Sequence, residues 1–107
     1  MTGDTATQKD KGDTQVRFFF YGHAAKRMIE RRIPTDLVKE VVLLGEMIVD
    51  YPDERPFPSR LILGWDGKRP IHVVSAKNES EDIEYIITVS EPDLSQWEAG
   101  YRWRKKA

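Results

Sequence analysis

The first fourteen residues, MTGDTATQKDKGDT, are small and polar and show no repeat of apolar positions. Such a segment buries too little surface to order itself, so residues 1–14 are expected to be a disordered tail. VRFFFY, at 16–21, is aromatic and suits a short strand. From Gly22 the period changes. With His23 set at zero and a helical advance per residue, Ala24, Ala25, Met28 and Ile29 fall between about 100° and 240°. His23, Lys26, Arg27, Glu30 and Arg31 fill the opposite arc, which predicts an amphipathic helix limited by Pro34. Thr35 is the expected N-cap of a second helix, with Asp36 in its first turn. Leu37, Val38, Val41, Val42 and Leu44 form its apolar side, and Gly45 is its stop.

Beyond Gly45 the pattern reads as sheet. EMIVDY (46–51), SRLILGW (59–65), RPIHVVSAK (69–77) and EYIITVSE (84–91) are the expected strands. PDERPFP (52–58) is an irregular connection, because three prolines interrupt it. DGK (66–68) predicts a tight hairpin of type I′, and NESEDI (78–83) a polar loop. Asp93 is placed to cap a short helix through LSQWEAG, ended by Gly100, with Trp97 packing it onto the sheet. The expected fold is α+β: two N-terminal helices packed on a four-stranded antiparallel sheet, then a short C-terminal helix. Residues 15–104 form the single domain, and 105–107 a basic tail. One sheet face is expected under the helices and the other partly open to a ligand.

Composition narrows the function classes. There is no cysteine, so disulfides, thiol nucleophiles and Cys-ligated zinc are excluded. No apolar run approaches a membrane span, and the start of the chain lacks the apolar core of a signal peptide. The expected location is therefore the cytoplasm, with no membrane partner. The formal net charge is −1, but it is unevenly spread. RWRKKA at the end carries four cations, while KNESEDIE (77–84) is mostly acidic.

Candidate chemistry is sparse. His23, Arg27 and Glu30 share a helix face by their spacing, and a histidine beside arginines suits a phosphate. The plainer reading is a solvated face laced with Lys26–Glu30 and Arg27–Glu30 pairs. In RPIHVVSAK, Ile71, Val73 and Ser75 share one side and His72, Val74 and Ala76 the other. His72 among apolar neighbours reads first as a hydrogen-bonded core residue and second as an acid or base. No HExxH or similar ligand spacing points to a metal. Ser59, Ser75, Ser90 and Ser95 lack the GxSxG context, and no GxGxxG or Walker A run occurs, so no cofactor is expected. Arg55, Arg60, Lys68 and Arg69 are interleaved with Tyr51, Phe57, Trp65, Tyr101 and Trp103, a mixture that suits single-stranded RNA or a small aromatic core.

Several motifs together resemble one family. HAxxRMxER at 23–31, Tyr51-Pro52-Asp53, PSRLILG at 58–64, RPIHVV at 69–74, and IITVSEPD at 86–93 followed by Trp97 look like the bacterial domain of unknown function 4258. The resemblance covers about residues 18–104, and Ser90 stands where the family pattern carries tyrosine. That family is similar in layout to the RelE/BrnT-like toxins. The resemblance implies a candidate toxin of a toxin–antitoxin pair, acting as a metal-independent ribonuclease on RNA or the ribosome. It also implies a small zinc-ribbon partner resembling MqsA-type antitoxins. On that reading His23 and His72 are the acid and base, and Glu91 is an alternative base or orienter. Arg27, Arg31 and Arg60 hold phosphate or RNA. The ribonuclease reading requires these groups to meet at one concave surface. The alternative is a non-catalytic protein- or RNA-binding module using its open sheet face. There Arg27 or Arg31 is an internal clamp on a carboxylate such as Glu91.

Overall fold

A computed structural model describes residues 16–106, so the tail expected to be disordered over 1–14 lies outside the described residues. The elements in chain order are β1 (Arg17–Phe20), α1 (Gly22–Arg31), α2 (Thr35–Leu44), β2 (Glu46–Tyr51), β3 (Ser59–Asp66), β4 (Arg69–Asn78) and β5 (Ile83–Ser90). The strands form one five-stranded sheet in the order β1-β5-β4-β3-β2. The class is α+β, but the expected four-stranded antiparallel sheet is wrong. β1 adds a fifth strand, parallel to β5, with Phe18 opposite Glu84 and Phe20 opposite Ile86. The parallel pairing follows from the path of the chain. It leaves β1 through both helices and the β2–β4 meander, then returns beside β1 in the same direction.

The expected C-terminal helix is also absent. Asp93 caps a single turn, its carbonyl accepting the Gln96 and Trp97 amides. The chain then doubles back, with the Glu98 amide donating to the Trp103 carbonyl and the Lys105 amide to the Gln96 carbonyl. Gly100 and Tyr101 both have left-handed φ, at 92° and 62°, so Gly100 opens a reversal instead of ending a helix. We call residues 93–105 the strap.

Both helices lie where the apolar spacing puts them, and their ends differ in detail. Pro34, not Thr35, is the N-cap of α2, and no side chain caps it. α1 ends at Arg32, with φ 55°, where the Arg32 and Ile33 amides return to the Ile29 and Met28 carbonyls. The next residue, Ile33, is buried, and this drives a non-glycine residue into the left-handed region. In the β3–β4 hairpin Gly67 is left-handed, at 62°, and Lys68 is not. That is the pattern of a type II′ turn, not type I′.

The core lies between the helices and one sheet face. Ala24, Met28, Val38, Val41 and Val42 pack against Ile62, Ile71, Val73, Ile86 and Val89, with Phe18 and Phe20 at the margin. α1 seats over β5, and α2 over β3 and β4. By strand alternation Leu61, Leu63, His72, Val74, Tyr85 and Phe19 face the other side.

Candidate functional site

The six residues expected to form one site do not meet. His23, Arg27 and Arg31 are exposed on α1, on the helix-covered side of the sheet. His72 points from the opposite face and is only 3% exposed. Its ring sits edge-on to Trp97 at 4.4 Å, and its Nε2 lies 2.9 Å from the Tyr101 carbonyl oxygen. A carbonyl only accepts, so Nε2 carries the proton. The strap therefore seals His72 and occupies its proton donor. A joint acid–base role for His23 and His72 has no geometry to use.

His72 instead pins the strap, together with the Tyr101 ring against Trp65 at 5.9 Å and the Arg102–Glu46 pair at 2.8–2.9 Å. The Arg102 guanidinium holds the Glu46 carboxyl below its usual range. Burial pushes the His72 imidazole below its ordinary value, partly opposed by its bond to the Tyr101 carbonyl. The folded state thus resists protonation more than the unfolded state does. Its contribution is complete above the unfolded value of about 6.5 and is lost as pH falls through the lowered folded value. Urea unfolding at about pH 7.5 and about pH 5.5 should show stability falling with acid, and His72→Gln should flatten that fall. An unchanged slope in the variant would remove His72 as the source.

Arg60 and Glu91 are engaged elsewhere. Arg60 Nη2 is 3.2 Å from Glu84 Oε2, on the helix side of the sheet beyond the helices. Glu84 is almost wholly buried, and it also accepts from the Ser75 hydroxyl at 2.5 Å and faces Lys77 Nζ at 3.6 Å. Glu91 lies 3.7 Å from Arg69, a residue the sequence did not single out as a clamp. Arg31 enters this corner through its backbone carbonyl, which accepts from Arg69. Hydrogen bonds from Ser95, then from Gln96, hold the Asp93 carboxyl below its usual range, and the Arg31 charge adds to them last. Among the described residues no three potential metal-ligating side chains cluster, and no helix is long and apolar enough to cross a membrane.

The half of the open face that the strap leaves uncovered is aromatic. Tyr85 stands at its centre, with Phe57 stacked on it at 5.5 Å and Phe19 and Tyr21 edge-on at 5.9 and 6.4 Å. Phe19 and Tyr21 also touch each other, at 6.2 Å. Phe19 is 58% exposed and Tyr21 41%. Two recesses flank the rings. One of about 350 Å³ lies by Arg17, Phe19, Ile83 and Tyr85, and one of about 290 Å³ by Tyr51, Glu54, Val74 and Ile87. Sequence reading named Phe57 and Tyr51 but missed Phe19, Tyr21 and Tyr85 as a group. The sequence offers no signal for this, since Phe18, Phe19 and Phe20 are alike, and only the structure turns Phe18 and Phe20 to the core and Phe19 away.

The family model described as Domain of unknown function (DUF4258) matches residues 20–91. The chain belongs to this family. No curated protein and no solved structure matches it. The DUF4258 match spans both helices and β2–β5, and so includes Tyr21, Phe57 and Tyr85 of the aromatic group. The strap over His72 lies beyond the matched residues. The family description names no activity.

In this DUF4258 chain the clamp on α1 is Arg69. Its guanidinium donates to the Arg31 carbonyl at 2.9 Å, the Arg32 carbonyl at 3.1 Å and Asp66 Oδ2 at 3.1 Å. It thereby ties the open C-terminal end of α1 to the β3–β4 hairpin. Arg69→Ala should lower stability by about 1–2 kcal/mol, and Arg69→Lys should recover little, because an ammonium lacks the planar fork. Full recovery by lysine in urea unfolding would show that charge alone matters there.

Proposed function

We propose that this chain is a non-catalytic binding module whose uncovered sheet face receives an extended or helical segment of a partner protein. The observation that carries the reading is the contiguous group of exposed Phe19 and Tyr21 against half-buried Phe57 and Tyr85, beside two recesses. Large aromatic side chains around pockets are the usual centres of binding energy at protein interfaces. The chemistry of the rim selects the partner. Asp53 and Glu54 lie on the loop that brings Phe57, and Glu79, Glu81 and Asp82 on or beside the turn that leads into β5. Against these acids stand Arg17, Arg55 and Lys77, the last 3.8 Å from Asp82, so the rim stays net acidic. A phosphate backbone would meet net repulsion there, since RNA affinity depends on neutralising phosphates. A protein segment with an apolar anchor flanked by Lys or Arg is favoured, because its cations match the acids and the ring faces alike.

The catalytic alternative lacks comparable support, since its two histidines occupy opposite faces and one is sealed. The zinc-ribbon protein expected from the family resemblance is a natural first partner to try. The general test is a peptide-display selection on the full chain. Enriched peptides should combine an aromatic or aliphatic anchor with neighbouring Lys or Arg, and Phe19→Ser with Tyr85→Ser should abolish their binding. Labelled oligouridine should bind weakly and without dependence on those two residues. Selection of acidic peptides, or binding unaffected by the double variant, would refute the assignment.

A further inference from the structure

We propose that a second copy of this chain supplies one such segment: its own C-terminal run Arg102–Trp103–Arg104–Lys105–Lys106. The inference depends on the reading of the aromatic face given above, and it names a partner for that face.

The run has the required chemistry. Trp103 is 70% exposed and is set among four cations, with no acid in the run. It is also held in place before any contact is made. The Trp103 carbonyl accepts the Glu98 amide at 2.8 Å, and the Lys105 amide is tied to Gln96 at 2.8 Å. Arg102 is braced on Glu46, and the Arg104 guanidinium lies over the Trp97 ring at 5.4 Å. The indole is therefore presented on a fixed backbone, which reduces the ordering cost of docking. An indole finds offset or edge contacts on the exposed Phe19 and Tyr21 rings, while Lys105 and Lys106 meet the acidic loops.

The chain cannot satisfy its own face. The strap touches the sheet at Trp65 and at Glu46, which pairs with Leu63. Tyr85 belongs to the far end, because it pairs with Ala76, which pairs with Ser59. Trp65 lies six residues beyond Ser59 in β3, roughly 20 Å at the rise of a strand. Trp103 lies between Arg102, braced on Glu46, and Lys105, tied to Gln96, so its indole is held at the strap's end of that distance. A second copy removes the restriction, and reciprocal exchange of the two tails closes as a symmetric pair.

Sedimentation velocity on the full chain over a wide concentration range tests this. Concentration-dependent association is expected, weakened roughly tenfold by raising salt well above the physiological range. Trp103→Ala and Phe19→Ser should each weaken it at least about tenfold. Lys105→Glu with Lys106→Glu should abolish it, and adding Glu54→Lys with Glu79→Lys should restore it. Such a rescue is not a consequence of misfolding. A chain that stays monomeric throughout, while still binding display-selected peptides, overturns the self-recognition and leaves the docking face intact. A chain that neither associates nor binds such peptides overturns both. Association indifferent to Trp103 and to the charge swap overturns the tail as its cause.

Discussion

Gly64→Ala is expected to lower the unfolding free energy by about 2–3 kcal/mol, the upper range for overfilling a packed core. A Cβ at Gly64 would run into Val41 Cγ2 and come within 3.0 Å of Val41 Cβ and Cγ1. Val41 is buried in α2, so the helix would have to lift from β3. In an unobstructed strand the same change would stabilise slightly, since glycine loses more freedom on folding. The sign of the result therefore reports the close approach itself. Val41→Ala alone should cost about 2 kcal/mol by leaving a cavity. Combined with Gly64→Ala it should cost at least about 1 kcal/mol less than the two single losses together, because the added methyl fills the vacated space. Urea unfolding of the three variants decides it, and strict additivity would show that Gly64 and Val41 are not the contact that sets the spacing of α2. Gly45→Ala should cost more than Gly64→Ala and resist any such rescue. Its Cβ would meet the Val41 and Leu63 carbonyl oxygens, the latter at 2.7 Å, and backbone oxygens cannot be trimmed away.

The contrast between these helices and β1 shows what the sequence makes legible. Ala24 and Met28, or Val38, Val41 and Val42, recur at helical spacing inside segments bounded by Pro34 and Gly45, so each helix is specified by its own residues. Arg17–Phe20 has an aromatic at three successive positions and no alternation to read. Its aromatic residues suit a strand, as expected, but its partner is β5, far along the chain, and local pattern carries no record of that pairing. β5 itself breaks period two, because the register shifts between Val74 and Ser75, leaving Ile87 unpaired and returning Val89 to the core side. The strap was misread for a related reason. Asp93, Trp97 and Gly100 carry the same signals at a helix start, a packing position and a helix stop as they do in a reversal. The deciding bonds, from Glu98 to Trp103 and from Lys105 to Gln96, run beyond the supposed helix.

The candidate site was legible only strand by strand. Alternation placed His72 opposite Ile71 and Val73, which is where it lies, but it could not say which side the helices would cover. That single undetermined choice separated His23 from His72. The aromatic face has the same history, since Phe19, Phe57 and Tyr85 come from three distant segments, and only the register of β1, β5, β4 and β3, with the loop before β3, gathers them. Polar residues on the core side of their strands were a clue that sequence reading left unused. Arg60 shares a side with Ile62, Ser75 and Lys77 with Val73, and Glu84 with Ile86.

Those four residues set the second large effect. Arg60→Met is expected to lower stability by about 2 kcal/mol, because it leaves a buried carboxylate short of its nearest counter-charge. Glu84 is only 4% exposed along its side chain, and Arg60 approaches it to 3.2 Å. Methionine keeps most of the apolar stem, so the loss reports charge more than packing. Lys77 at 3.6 Å and the Ser75 hydroxyl remain, which keeps the loss below that of an isolated buried ion. Adding Glu84→Gln to Arg60→Met should then raise stability above the Arg60→Met variant. The amide oxygen still accepts from Ser75, and no uncompensated charge is left. Glu84→Gln alone should be destabilising, since it leaves Arg60 without its anion. The opposite effect of one substitution in two backgrounds is the signature of an internal brace. An Arg60 held free for phosphate would behave otherwise: Arg60→Met would leave the urea midpoint unchanged, and the effect of Glu84→Gln would be the same with or without it.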